Sequence, residues 1–244
     1  MNLKGGVIII GSLIWEDHLD FEKKRGNFIR RDWRTQNLLP ERKLTPVPIR
    51  YGKESTIRKN TYTMIFTKSC EDDNIGQGLI LGFKETINSF EDLERQAIAL
   101  AIAEGIYNTN NPRLTCNWGS VGLLINPTLK EMNFSIFEFI SKKWKDIYFN
   151  YDNSFVSTDY QCDGDSESPI NQNGMLTINW QKEMNDFDIL IATSVIPKPK
   201  TPLKPKDIAE RINQEKYDTY YKSNLANNIK TYQDESISAL LPNK

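Results

Sequence analysis

The run Val7-Ile8-Ile9-Ile10 constrains this chain more than any other stretch. Gly5-Gly6 precedes it and Gly11-Ser12 follows it. Branching at Cβ stiffens χ1 and favours extended backbone. The run is continuous rather than alternating, so it predicts a strand buried on both faces. Such a strand is a core element, and the Gly-Ser pair predicts that it stops in a tight turn.

A helix is predicted over 90–104. Ser89 can cap it, Asp92 follows three residues later in a capping-box pattern, and Gly105 supplies the stop. The stretch 96–103 is almost wholly apolar, which predicts burial on most sides. Residues 43–66 read as a pair of strands with turn chemistry at Tyr51-Gly52-Lys53-Glu54-Ser55. The prolines beside Val47 and Ile49 point to a sheet edge. Further strands are expected at 78–83, 121–125, 175–180 and 189–195, and helices over 134–144 and beyond Asp207. Residues 151–174 are polar and read as a loop. The prolines of 196–205 predict a stiff connector. These elements imply an α/β chain of the mixed α+β kind. A core over 1–150 is expected, with 151–205 packed on it and a helical extension over 206–244.

Composition excludes several functions. Apolar residues make up 39% of the 244, enough to build a core. The 31 Lys and Arg balance 32 Asp and Glu, so no overall field draws nucleic acid or an anionic membrane. No apolar run approaches the roughly 20 residues that span a bilayer, and the N-terminus does not read as a signal peptide. Cys70, Cys116 and Cys162 lack metal-ligand spacing and disulfide pairing. The expected location is the cytoplasm, with no metal and no cofactor. His18 is the single histidine, so chemistry needing a histidine cluster is excluded. The basic residues Lys23, Lys24, Arg25, Arg30, Arg31 and Arg34 are interrupted by acids and read as a solvated face.

Candidate chemistry starts at the turn Gly11-Ser12-Leu13-Ile14-Trp15. Successive backbone N–H groups there suit a carboxylate or a developing oxyanion. On the 90–104 helix, Glu94 shares a face with Phe90, Ala97, Ile98 and Ala101 and is expected to point inward. Burial would raise its pKa and suit it to general acid–base work. Glu104 competes for that role from the helix end. Arg50 and Arg58 are candidate carboxylate clamps, and Tyr51 and Tyr107 candidate hydroxyl donors.

The Gly11-Ser12-Leu13-Ile14-Trp15 turn after a β-branched strand resembles that of γ-glutamylcyclotransferase-like proteins, and is closest to their glutathione-degrading branch. Gly78-Leu79-Ile80-Leu81-Gly82-Phe83 followed by Asn88-Ser89-Phe90-Glu91-Asp92-Leu93-Glu94 looks like the strand and segment that carry the family's glutamate. The resemblance covers about residues 5–130. It implies a barrel-like sheet with packed helices and a pocket between sheet and helix. It also implies lyase or acyltransferase chemistry on a small molecule: a γ-glutamyl amide is opened by its own α-amine, releasing 5-oxoproline and a free amine. Glu94 would then be the acid/base, with Glu104 as runner-up, and Gly11, Ser12, Leu13, Trp15, Arg50 and Tyr51 would bind substrate. Ile10 stands where the family's turn usually has tyrosine. That departure motivates the alternative of a non-catalytic ligand-binding or regulatory module. A third expectation places function in the C-terminal region, as a protein-interaction segment.

Overall fold

A computed structural model describes residues 1–18, 27–70, 74–107, 113–151 and 155–242, with the side chains of 150 and 151 left out. The β-branched run is the heart of a five-stranded mixed sheet. Strand β1 (Gly5–Ile9) is buried along its whole length. It runs parallel to β7 (Ile189–Val195) on one side and antiparallel to β5 (Gly76–Phe83) on the other. The outer strands are β2 (Leu38–Val47), antiparallel to β5, and β6 (Gly119–Ile125), antiparallel to β7. The order β2-β5-β1-β7-β6 leaves β2 and β6 at the edges, so the sheet is open rather than a closed barrel among the described residues. The fold is mixed α+β.

Pro48 separates β2 from β3 (Ile49–Ser55), which pairs with β4 (Thr61–Phe66) in a second, two-stranded sheet. The expected turn at 51–55 is therefore strand, with a register shift between Tyr51 and Lys53. The actual turn is 56–60, where Lys59 and Asn60 adopt positive φ. Residues 175–180 form isolated bridges at Met175 and Leu176 instead of the expected strand.

Helix α1 (Ile29–Asn37) precedes β2, and α2 is the helix expected from sequence, Phe90–Glu104. The Ser89 side chain accepts from the Asp92 N–H while Asp92 accepts from the Ser89 N–H. Gly105 closes the other end at φ 83, a left-handed conformation that costs glycine little. Helix α3 (Pro127–Met132) leads into α4 (Phe134–Tyr151), and α5 (Pro205–Glu215), α6 (Thr219–Ala226) and α7 (Asp234–Leu240) end the chain. The last three are tied to the sheets. Asp234 accepts from the Tyr51 hydroxyl at 3.0 Å, and Lys230 bridges to Gln77 of β5. No helix among the described residues is long and apolar enough to cross a membrane.

Candidate active site

Where β1 ends, Ser12–Ile14 form one 3-10 turn with Gly11 at its head and no side chain capping it. Gly11, Ser12 and Leu13 line a cavity of about 480 Å³, a size suited to a small molecule. The C-terminal end of α2 supplies Glu104 to the same cavity, β7 supplies Thr193, the β3–β4 hairpin supplies Lys53 and Arg58, and α6 supplies Tyr220.

A charge network lies behind the turn. Arg30, on α1, is 8% exposed. Its Nε donates to the Ala103 carbonyl at 3.0 Å and its NH1 to Ser12 Oγ at 3.2 Å. The same NH1 pairs with Glu16, and NH2 reaches Glu104 Oε2 at 3.4 Å. Arg58 NH2 donates to Ser12 Oγ and to Glu16 Oε2, both at 2.7 Å. Its guanidinium lies over the Tyr220 ring, 4.9 Å from the centroid. One helical turn after Arg30, Arg34 braces the turn by donating to the carbonyls of Leu13 (2.6 Å) and Glu16 (2.9 Å).

Glu104 is the site's acid of interest. Desolvation by the surrounding protein raises its carboxyl above the usual glutamate range. Arg30, the neighbouring Thr193 hydroxyl and Arg58 oppose that rise without cancelling it, and Glu16 adds to it. A carboxylate at a helix C-terminus also faces the negative end of the dipole. Arg30 compensates both, since it meets the Ala103 carbonyl and Glu104 together. The result is a carboxyl that exchanges its proton nearer neutrality than a solvated one.

The sequence-named residues divide into those at the cavity and those elsewhere. Gly11, Ser12, Leu13, Glu104 and Arg58 line it. Glu94 is half-buried and outside the lining: Leu93, Gln96, Ala97, Leu100 and Ala101 make the inward face of α2. The face inferred for Glu94 included Ile98, which is also only half-buried. Trp15 lies behind the turn, donating from Nε1 to Asn224 at 2.8 Å and meeting the Tyr220 ring edge-on. Arg50 is fully buried and donates to the Tyr51 carbonyl at 3.0 Å, beside Cys70 and Cys162. Tyr51 is buried against Asp234. Arg50, Tyr51 and Tyr107 are therefore outside the cavity wall.

The basic segment corrects the expectation of a solvated face in part: Arg31 is exposed as expected, but two of its neighbours are not. Arg30 is buried and Arg34 half-buried, both turned onto the 11–17 segment. Lys23, Lys24 and Arg25 lie outside the described residues. Glu16, Arg30, Lys53, Thr193 and Tyr220 are site residues that sequence reasoning did not select. For Arg30 a signal existed: Arg30, Trp33 and Arg34 share one helix face. Among the described residues no three metal-ligating side chains come together.

Comparison with known proteins adds no identity: no family model, curated protein or solved structure gives a significant match to the chain.

Proposed function

We propose that the cavity is the active site of a γ-glutamylcyclotransferase-like enzyme in which Glu104, rather than Glu94, is the general acid/base. One observation carries this reading. A single guanidinium, that of Arg30, contacts both Ser12 of the glycine-serine turn and Glu104 of α2. A turn suited to an oxyanion and a carboxyl with a raised pKa thus face one cavity.

The reaction assigns each group a task. Glu104 takes a proton from the α-ammonium of a γ-glutamyl amide. The freed amine attacks its own γ-carbonyl carbon, forming the new C–N bond of a five-membered ring. The oxygen that gains charge lies against the backbone at Gly11, Ser12 and Leu13. Glu104 then passes its proton to the leaving nitrogen as the old C–N bond breaks, and the second proton shed by the ring nitrogen also ends on the released amine, giving 5-oxoproline and an ammonium product. Because the attack is intramolecular, holding the substrate in a bent, near-attack shape supplies much of the rate.

The test is release of 5-oxoproline from glutathione, γ-glutamyl dipeptides and γ-glutamyl amines. Turnover by the native chain that Glu104→Gln lacks is the expected result. Absence of release from every substrate would return the cavity to the reading of a binding module.

A further inference from the structure

The β3–β4 hairpin brings two cations to the cavity: Arg58, paired except at one donor, and Lys53, which no acid among the described residues pairs with. Arg58 is 8% exposed. Its NH2 is engaged by Ser12 and Glu16, but its Nε is buried with no hydrogen-bond partner. Buried donors in folded proteins are nearly always paired, so this orphan leaves part of the guanidinium's charge unmet by the protein beside the cavity. Lys53 lines the same cavity, half-buried. The acid next to it, Glu54, is taken by Arg211 at 3.1 Å. The β-bridge partner of Lys53, on the segment just after β7, is Lys198, another cation. Desolvation, with Lys198 adding to it, holds the Lys53 ammonium below the usual lysine range. An anion seated beside Lys53 would relieve both costs.

We propose that Lys53 and Arg58 together hold the carboxylate of the ligand, which leaves the Gly11–Leu13 backbone to the oxyanion alone. The cavity then selects small molecules with a carboxylate over uncharged isosteres. An ammonium and a guanidinium N–H converging on one carboxylate give charge-assisted hydrogen bonds, stronger than neutral ones. This rests on the cyclotransferase reading for the choice of ligand, but the cation pair stands without it.

The experiment is calorimetric titration of the native chain with matched pairs: 5-oxoproline against 2-pyrrolidone, and glutarate against its diamide. The carboxylates should bind at least about tenfold tighter than their uncharged partners. Lys53→Gln should erase about tenfold of that affinity, and Lys53→Arg should restore it. Thermal unfolding of Lys53→Gln should match the native chain, which separates lost binding from lost folding. Equal affinity within each pair, binding by no carboxylate, or full affinity in Lys53→Gln would each overturn the proposal. Carboxylate binding without 5-oxoproline release would instead remove the reaction and keep the anion site. Release with unaltered kinetics in Lys53→Gln would keep the reaction and remove the site.

Discussion

Arg30 donates to Glu104 across 3.4 Å while its Nε holds the carbonyl of Ala103, the residue just before. The last turn of α2 is thus fixed by a side chain from α1, and the glutamate is held at the cavity as part of the same contact. Glu94, on the same helix, has no share in the cavity lining. Two glutamates on one helix therefore have different expected roles.

Glu104→Gln should lower kcat/KM for 5-oxoproline release by about 10²–10⁴-fold, the usual loss when a general acid/base is removed. Glu94→Gln should stay within a few fold of the native rate. Side-by-side initial rates decide between them, and the reverse pattern would move the chemistry to Glu94.

The pH dependence follows from the raised Glu104 carboxyl. Between the ordinary value of 4.5 and its higher folded value, the folded chain holds a proton that the unfolded chain has released. Stability from this group is therefore complete below 4.5 and lost as pH rises through the folded value. Melting temperatures of native chain and Glu104→Gln should diverge over that window, with the native chain losing ground as pH rises. In catalysis the base form gathers over the same interval, so kcat/KM should climb at higher pH than a solvated glutamate would give. Arg30 is the largest opposing influence, and Arg30→Met should move the climb further upward. A limb left in place by Arg30→Met would show that Arg30 does not tune Glu104.

Much of the fold was legible because local chemistry and tertiary context agree. The run before Gly11 became a central strand, and Ser89, Asp92 and Gly105 bounded α2 where their capping chemistry says they should. The hairpin turn was misplaced because Gly52 has a reason that sequence hides. A Cβ there would come within 2.3 Å of Ile65 Cδ1, so glycine serves cross-strand packing at 52 rather than a turn. The site was half legible. Gly11, Ser12 and Leu13 announce themselves as a turn, and Glu104 follows from the helix end. Arg30 was marked only by the helix face it shares with Trp33 and Arg34, whereas Lys53 and Tyr220 reach the cavity from two further elements, and the pairing of such distant segments leaves no mark in local pattern.

Gly11 and Tyr220 are predicted to be coupled. A Cβ added at Gly11 would lie 2.7 Å from the Tyr220 hydroxyl oxygen but 3.7 Å from its Cζ. That hydroxyl accepts from the Met64 N–H at 3.2 Å, so it has little freedom to move aside. Gly11→Ala alone should cost about 1–3 kcal/mol through overpacking. Tyr220→Phe alone should cost about 0.5–1.5 kcal/mol through the lost hydrogen bond. The double variant should be clearly more stable than the sum of the two, since phenylalanine leaves room for the methyl group. Urea unfolding of the four chains measures this, and strict additivity would mean that the turn, not the tyrosine, absorbs the methyl group.

The C-terminal helices should be inseparable from the rest of the chain. Tyr220 of α6 is a wall of the cavity, Asn224 holds the Trp15 indole, and Asp234 of α7 accepts from the buried Tyr51 hydroxyl. A chain ending at Lys204 would lose all three. It would also uncover the core now closed by Ile208, Ile212, Tyr221, Ile229 and Ile237. Each fully buried side chain of this size is worth about 1.5–3 kcal/mol, and domains hold only about 5–15 kcal/mol in reserve. The shortened chain should show no cooperative unfolding transition. Tyr51→Phe in the full chain, which leaves Asp234 short of one donor, should cost only about 1–3 kcal/mol. Proteolytic nicking near Lys200 should give two fragments that elute together under native conditions. If residues 1–204 instead melted cooperatively on their own, the C-terminal region would be a separate segment, free to serve as an interaction arm.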